Sequence, residues 1–223
     1  VRHPGAIFSR IFSDVLNSFN LLYKKVNNVQ ASASVCTDDD RKELISLTQD
    51  FLVNLLKYFE GGHEIFLCFC PQETRPSPSQ ELHKWFAAKS YKESMSGYFS
   101  NTKIFLQRYR KLLNALKHSS NKLLIFQFIN PGDQGSTIGF YLEGVNAEGA
   151  IGPVPEFHPM HENRYTAWSY NLHLKKFYFL IYKIAMEADS VVKKLLAVNK
   201  MPLDLLTPPL ISTNIESAAR DAF

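Results

Sequence analysis

The chain reads as a predominantly helical α+β domain. A small mixed three-stranded sheet, at about 64–70, 122–129 and 136–142, is expected to be packed by five or six helices around one long helix at about 163–198. Three observations predict this. Long stretches place apolar residues at three- and four-residue steps, which is helical spacing. Short apolar runs closed by Gly or Pro read as buried strands. Finally, 45% hydrophobic and 21% charged residues over 223 positions is the composition of an ordinary folded domain. Seventeen Phe and ten Tyr add bulky, flat side chains suited to thick helix contacts.

The first helix, over 6–29, carries Ile7, Phe8, Ile11, Phe12, Val15, Leu16, Phe19, Leu22 and Tyr23 near one face. A second starts after Thr37 or Asp38, where acidic residues suit the positive end of the helix dipole. It carries Leu44, Ile45, Leu47, Phe51, Leu52, Leu55 and Phe59, and the pair Gly61 and Gly62 is expected to stop it. Residues 65–70 follow as a short apolar run ended by Pro71, hence a buried strand. Ser77, Pro78 and Gln80 have the order of a capping box. Helices are expected at 78–95 and 101–118, broken near Gly97.

Residues 123–128 form the next strand, ended by the turn signal Asn130, Pro131, Gly132 and Asp133, with 137–142 returning antiparallel. The long helix is apolar nearly all the way round at 177–182, which predicts burial on several sides. Residues 168–174 alternate apolar and polar like a strand, but no turn cluster separates them from the helical pattern that follows, so one helix is preferred. Residues 1–198 read as a single domain. Residues 199–223, with Pro202, Pro208 and Pro209, read as a tail with room for a short helix after Asn214. No repeat at a period of 20–50 residues is found.

The net charge of +4 is spread along the chain and gathers into no arm, so it commits to no nucleic acid. Three cysteines is an odd number, and it favours a reducing compartment. The longest apolar runs are six residues, against roughly 20 for a bilayer span. Because the chain begins at Val1, no targeting segment is read from it.

Chemistry has three candidate places. If 65–70 and 123–128 are parallel strands joined by helices, ligands bind beyond their carboxyl ends. That would gather Cys70 as a nucleophile with Glu73, Asn130 and Asp133, and the N–H groups after Ser77 would form an anion site. The second place is 157–164, where His158, His161 and Glu162 are potential metal ligands. Its order of letters is similar to the His-Pro, Glu, Asn, Arg loop of Fic-type nucleotidyl transferases. That loop uses glycines to admit phosphates, and no glycine lies between His158 and Arg164, so no role is carried over. Ser77, Asn130 and Arg164 are the ligand-binding candidates of these two places. The third is a basic helix face, Lys103, Arg108, Arg110, Lys111 and Lys117, able to meet phosphates of nucleic acid or acidic lipid. No phosphate-binding glycine loop, Gly-x-Ser-x-Gly elbow or paired-cysteine zinc pattern is present.

With so little concentrated polar chemistry, the sequence points to a non-catalytic protein-interaction or structural module built on aromatic-rich helices, with another protein as partner. The alternative is a hydrolase or transferase using Cys70 with Glu73, Asn130 and Asp133, or a metal at His158, His161 and Glu162. No cofactor is named by any motif.

Overall fold

The computed structural model describes residues 3–32, 35–70, 92–118, 121–129, 136–145 and 149–198. These are mostly helical, with a small antiparallel sheet. The helices are α1 (Pro4–Ala31), α2 (Asp38–Leu67), α3 (Lys92–His118) and α4 (Tyr170–Val198). The expected helices at 6–29 and 101–118 are contained in α1 and α3. The expected helix at 78–95 and the tail at 199–223 fall wholly or mostly outside the described residues.

The spacing of Ile7, Ile11, Val15, Phe19, Leu22, Val26 and Val29 puts one face of α1 in the core. Thr37 then caps α2. Its hydroxyl accepts from the Asp40 N–H at 3.1 Å, while the Asp40 carboxylate accepts from the Thr37 N–H at 3.1 Å. The Lys25 ammonium of α1 lies 2.7 Å from the same carboxylate, and with Thr37 it holds the Asp40 carboxyl down to about 2. Lys25 meets Asp40 near the connection, and Ile11 lies against Gly61 far along α2, so α1 and α2 run antiparallel.

Three expectations are overturned here. First, α2 does not stop at Gly61 and Gly62 but runs on to Leu67. Both glycines are buried contact points: a Cβ on Gly61 would stand 2.7 Å from Ile11 Cδ1, and one on Gly62 would stand 2.7 Å from Tyr98 Cζ. Lacking side chains, they let α1 and α3 come close. Second, residues 65–70 are therefore no strand. Ile65 and Phe66 complete the buried face of α2, and the Cys68, Phe69 and Cys70 N–H groups donate to the carbonyls three residues back in a tightened last turn. Third, α3 continues through Gly97, which marks no break; a Cβ there would stand 2.7 Å from a Glu187 carboxylate oxygen at the flexible end of that α4 side chain.

The sheet is consequently antiparallel and not mixed. Strand β1 (Lys122–Ile129) pairs with β2 (Ser136–Val145) as the expected antiparallel hairpin, in a register that sets Lys122 opposite Glu143 and Ile129 opposite Ser136. On the other edge of β2 lie β3 (Ile151–Pro153) and β6 (Trp168–Ser169). Between them, β4 (Met160–His161) and β5 (Arg164–Tyr165) form a separate hairpin. Its two turn residues, Glu162 and Asn163, have φ of 49° and 62°, the paired left-handed conformation of a tight two-residue turn.

The long helix begins at Tyr170 and not near 163, because the alternating 168–174 stretch is divided: Trp168 and Ser169 join the sheet, and the helical pattern takes over at once. Leu174, Phe177, Leu180, Ile181, Ile184, Ala188, Val191 and Leu195 turn inward. Hydroxyl bonds tie the helices together. Tyr58 donates to the Ile181 carbonyl at 3.0 Å, Tyr98 donates to the Phe59 carbonyl at 2.9 Å, and Thr48 and Tyr170 share a bond of 2.6 Å. Phe179, in the middle of the run expected to be buried on several sides, is 68% exposed. Among the described residues, no helix is long and apolar enough to cross a membrane.

Candidate functional site

The predicted nucleophile stands in a turn after a helix and not at the end of a strand. Cys70 is buried in the turn after α2, and its thiol lies 3.5 Å from the Phe66 carbonyl in donating geometry. Without a strand at 65–70, the parallel crossover that was to bring Cys70 to Asn130 and Asp133 is gone. Glu73, Ser77, Asn130 and Asp133 lie outside the described residues. Thiol chemistry follows exposure and thiolate character. Cys70 and Cys36 are buried, burial pushes the Cys36 thiol up, and Cys68 is the partly exposed one. A brief pulse of iodoacetamide on the folded protein, read by peptide mass spectrometry, is therefore expected to label Cys68 first, with Cys36 and Cys70 reacting only after denaturation. Fast labelling of Cys70 would contradict this packing.

The predicted metal ligands are not brought together. His158 is wholly buried, and its Nε2 accepts the Leu142 N–H at 2.9 Å. An accepting Nε2 carries no proton, so the neutral ring holds its hydrogen on Nδ1. Burial lowers the ring to about 4, with the nearby Arg108 and His173 acting in the same direction and the Thr166 backbone opposing. The ring packs 4.5 Å from Trp168, centroid to centroid, and Trp168 in turn carries the Arg108 guanidinium at 5.5 Å. His161, Glu162 and Arg164 are exposed on the β4–β5 hairpin. Among the described residues, no group of three or more His, Cys, Asp or Glu is placed to hold a metal ion. His158 instead fastens the segment before β4 to β2.

On the basic face of α3, Arg110 pairs with Glu60 and Lys111 with Glu156, each at 2.8 Å, and Arg108 is engaged with Trp168. Lys103 and Lys117 remain exposed. Exposed pairs of this kind contribute little stability, but their carboxylates cancel much of the positive field the sequence suggested. Between α1 and α2 an open groove is lined by Asp14, Asn17, Leu21, Asp50, Asn54 and Lys57, mixed in character and without convergent chemistry.

What the sequence reading missed lies on the outer side of α4. Leu172, Phe179 and Met186 are 52%, 68% and 74% exposed. They are spaced by seven residues, so successive members drift by only about 20° around the helix and form one line. At 1.5 Å per residue the line is about 21 Å long. Lys175, Lys176 and Lys183 stand beside it, and Lys193, the next position at the same spacing, ends it and pairs with Asp189 at 2.7 Å. Elsewhere Leu21 and Val35 are exposed singly, as is ordinary for a protein surface, while Val145 opposite Ile151 and Met160 opposite Tyr165 are exposed as short cross-strand pairs. The seven-residue signal is present in the sequence, but it is hidden because nearly every position of 177–182 is apolar and nothing there says which side faces out.

No known protein family, curated protein or solved structure matches the chain.

Proposed function

We propose that this chain is a non-catalytic protein-interaction module whose contact surface is the outer face of α4. The observation that carries this reading is the line Leu172, Phe179 and Met186, three large apolar side chains left in water along one side of a helix whose other side is fully used by the core. Leaving such groups exposed forgoes about 1.5–3 kcal/mol of burial for each, and an ordered apolar row rimmed by charge is the usual mark of a docking face. The remainder of the molecule supplies a rigid support: aromatic contacts such as Phe51 with Phe177 at 5.1 Å and Tyr109 with Phe177 at 5.4 Å brace the inner side of the same helix.

A photo-crosslinking residue placed at Phe179 in the cells that express the protein is expected to give a discrete protein adduct. A second substitution, Met186→Glu, should remove that adduct, while the same residue placed at Lys42, on the exposed first turn of α2, should give none. Absence of an adduct at Phe179, or an equal one at Lys42, would sink the proposal. Cys70→Ala should leave the adduct unchanged, because Cys70 belongs to the packed interior.

A further inference from the structure

Resting on that reading of α4, we infer that the partner is an acidic amphipathic helix that lies along Leu172, Phe179 and Met186. Spacing carries the first step. A row at seven-residue spacing keeps to one side of the helix, so a second helix crossing at about 20° can follow it; the row fills one of the two positions of such a seam, and the other, three residues on, holds Lys175, Tyr182 and Asp189. A flat or irregular partner surface has no use for that register.

Charge carries the second step. With Leu172, Phe179 and Met186 as the seam, Lys176 and Lys183 occupy the flanking positions four residues after an anchor, and Lys175 sits three after Leu172. Flanking charges in helix pairs choose the partner. No carboxylate among the described residues pairs with these three lysines, whereas Lys193 beyond the seam has Asp189. The seam therefore presents unmatched positive charge, which glutamates or aspartates beside the partner's apolar positions would complement. A second copy of this chain is the poorer occupant, because in-register parallel pairing would set Lys175 against Lys175 and antiparallel pairing centred on Phe179 would set Lys175 against Lys183.

Extent carries the third step. The apolar line spans two repeats before Lys193 closes it, which is too short for an obligate interface and suits a reversible contact of modest area. Phe179 is the central anchor, and Met186 supplies an adaptable end.

The test uses the full chain and a fluorescein-labelled peptide of about three heptads with Leu at the seam positions and Glu at the flanking ones, beside an otherwise identical peptide with Lys at the flanks. Fluorescence anisotropy is expected to show the Glu peptide binding at least about tenfold more tightly than the Lys peptide, weakening as salt is raised. Phe179→Glu should weaken the Glu peptide by a similar factor, and Lys176→Glu combined with Lys183→Glu should reverse the order of the two peptides. Circular dichroism of each variant checks that α4 remains folded.

Equal binding of both peptides overturns the inference. So does sedimentation of the protein with phosphatidylserine–phosphatidylcholine vesicles in the absence of peptide binding, which would make the face a lipid contact. Self-association of the chain alone, abolished by Phe179→Glu, would equally overturn it. If neither peptide binds and the Phe179 crosslink to a protein persists, the acidic helix fails while the interaction module stands. If the crosslink fails as well, both fall.

Discussion

Gly62→Ala is expected to lower the stability of the folded chain by about 3 kcal/mol, a large loss for one methyl group. In an exposed helix the same change would gain about 1 kcal/mol, since alanine is the better helix former. Here the new Cβ would lie within 2.7 Å of Tyr98 Cζ and closer still to the phenol oxygen. Tyr98 has no exposed surface and nowhere to swing, because its ring also packs against Phe66 at 4.9 Å. Moving it breaks the 2.9 Å bond from its hydroxyl to the Phe59 carbonyl. Overpacking of about 1–3 kcal/mol together with a stranded buried hydroxyl of about 1–3 kcal/mol outweighs the helix gain. Urea unfolding of the variant measures the loss. In a Tyr98→Leu background the clash is absent, and the cost of Gly62→Ala should fall close to zero. A stabilised Gly62→Ala protein would show that α2 and α3 are not in close contact there.

The second large effect is a loss of stability of up to about 3 kcal/mol as the pH falls from 6.5 to 4. His158 in the fold is held neutral down to about 4 by its burial, whereas in the unfolded chain it titrates near 6.5. Between those values the unfolded state binds the extra proton, so the contribution of His158 is complete above 6.5 and is lost progressively on the way down to 4. Protonation would also put a hydrogen on Nε2 facing the Leu142 N–H that it now accepts. Arg108 of α3 is the charged group that disfavours protonation of the ring, and His173 of α4, itself lowered mainly by burial, adds to the same window; Tyr141 of β2 packs edge-on at 6.3 Å. The Asp40 carboxyl, held down to about 2 in the fold and titrating at about 3.9 in the unfolded chain, adds its own loss mainly below pH 4. Denaturant midpoints measured every half pH unit are expected to fall across the window. His158→Gln keeps an acceptor for Leu142 without a titrating ring, so it should flatten the slope. An unchanged slope in that variant would remove His158 as its source.

Both effects come from residues whose local sequence points elsewhere. Gly61 and Gly62 read as a helix stop because two residues without side chains lose the most conformational entropy in a helix. That cost is overcome because Ile11 and Tyr98 fill the space the missing side chains leave, a fact of α1 and α3 and not of α2. The strand expected at 65–70 failed with the stop: a short apolar run suits a buried strand or a buried helix end, and no local feature separates the two once the helix is known to continue. His158 stood among plausible metal ligands in the chain, yet its lone pair is taken by Leu142, a residue sixteen positions earlier.

The expectations that succeeded rest on signals complete within a few residues. Thr37 and the acidic residues after it announce the start of α2, apolar residues at three- and four-residue steps announce α1 and a long helix in α4, and 122–129 pairs with 136–142 as the expected hairpin. The apolar line on α4 is the intermediate case. Its spacing is written in the chain, but a helix apolar on almost every side does not declare which row meets solvent.

By itself, then, the sequence determined a mostly helical chain with an antiparallel hairpin, because capping, periodicity and turn chemistry are decided between near neighbours. Only the tertiary structure decided that the glycines are contact points, that Cys70 and His158 belong to the interior, and that Leu172, Phe179 and Met186 face outward. Each of those depends on which distant atoms occupy the adjoining space, and close packing is a property of the assembled elements that no one stretch of chain contains.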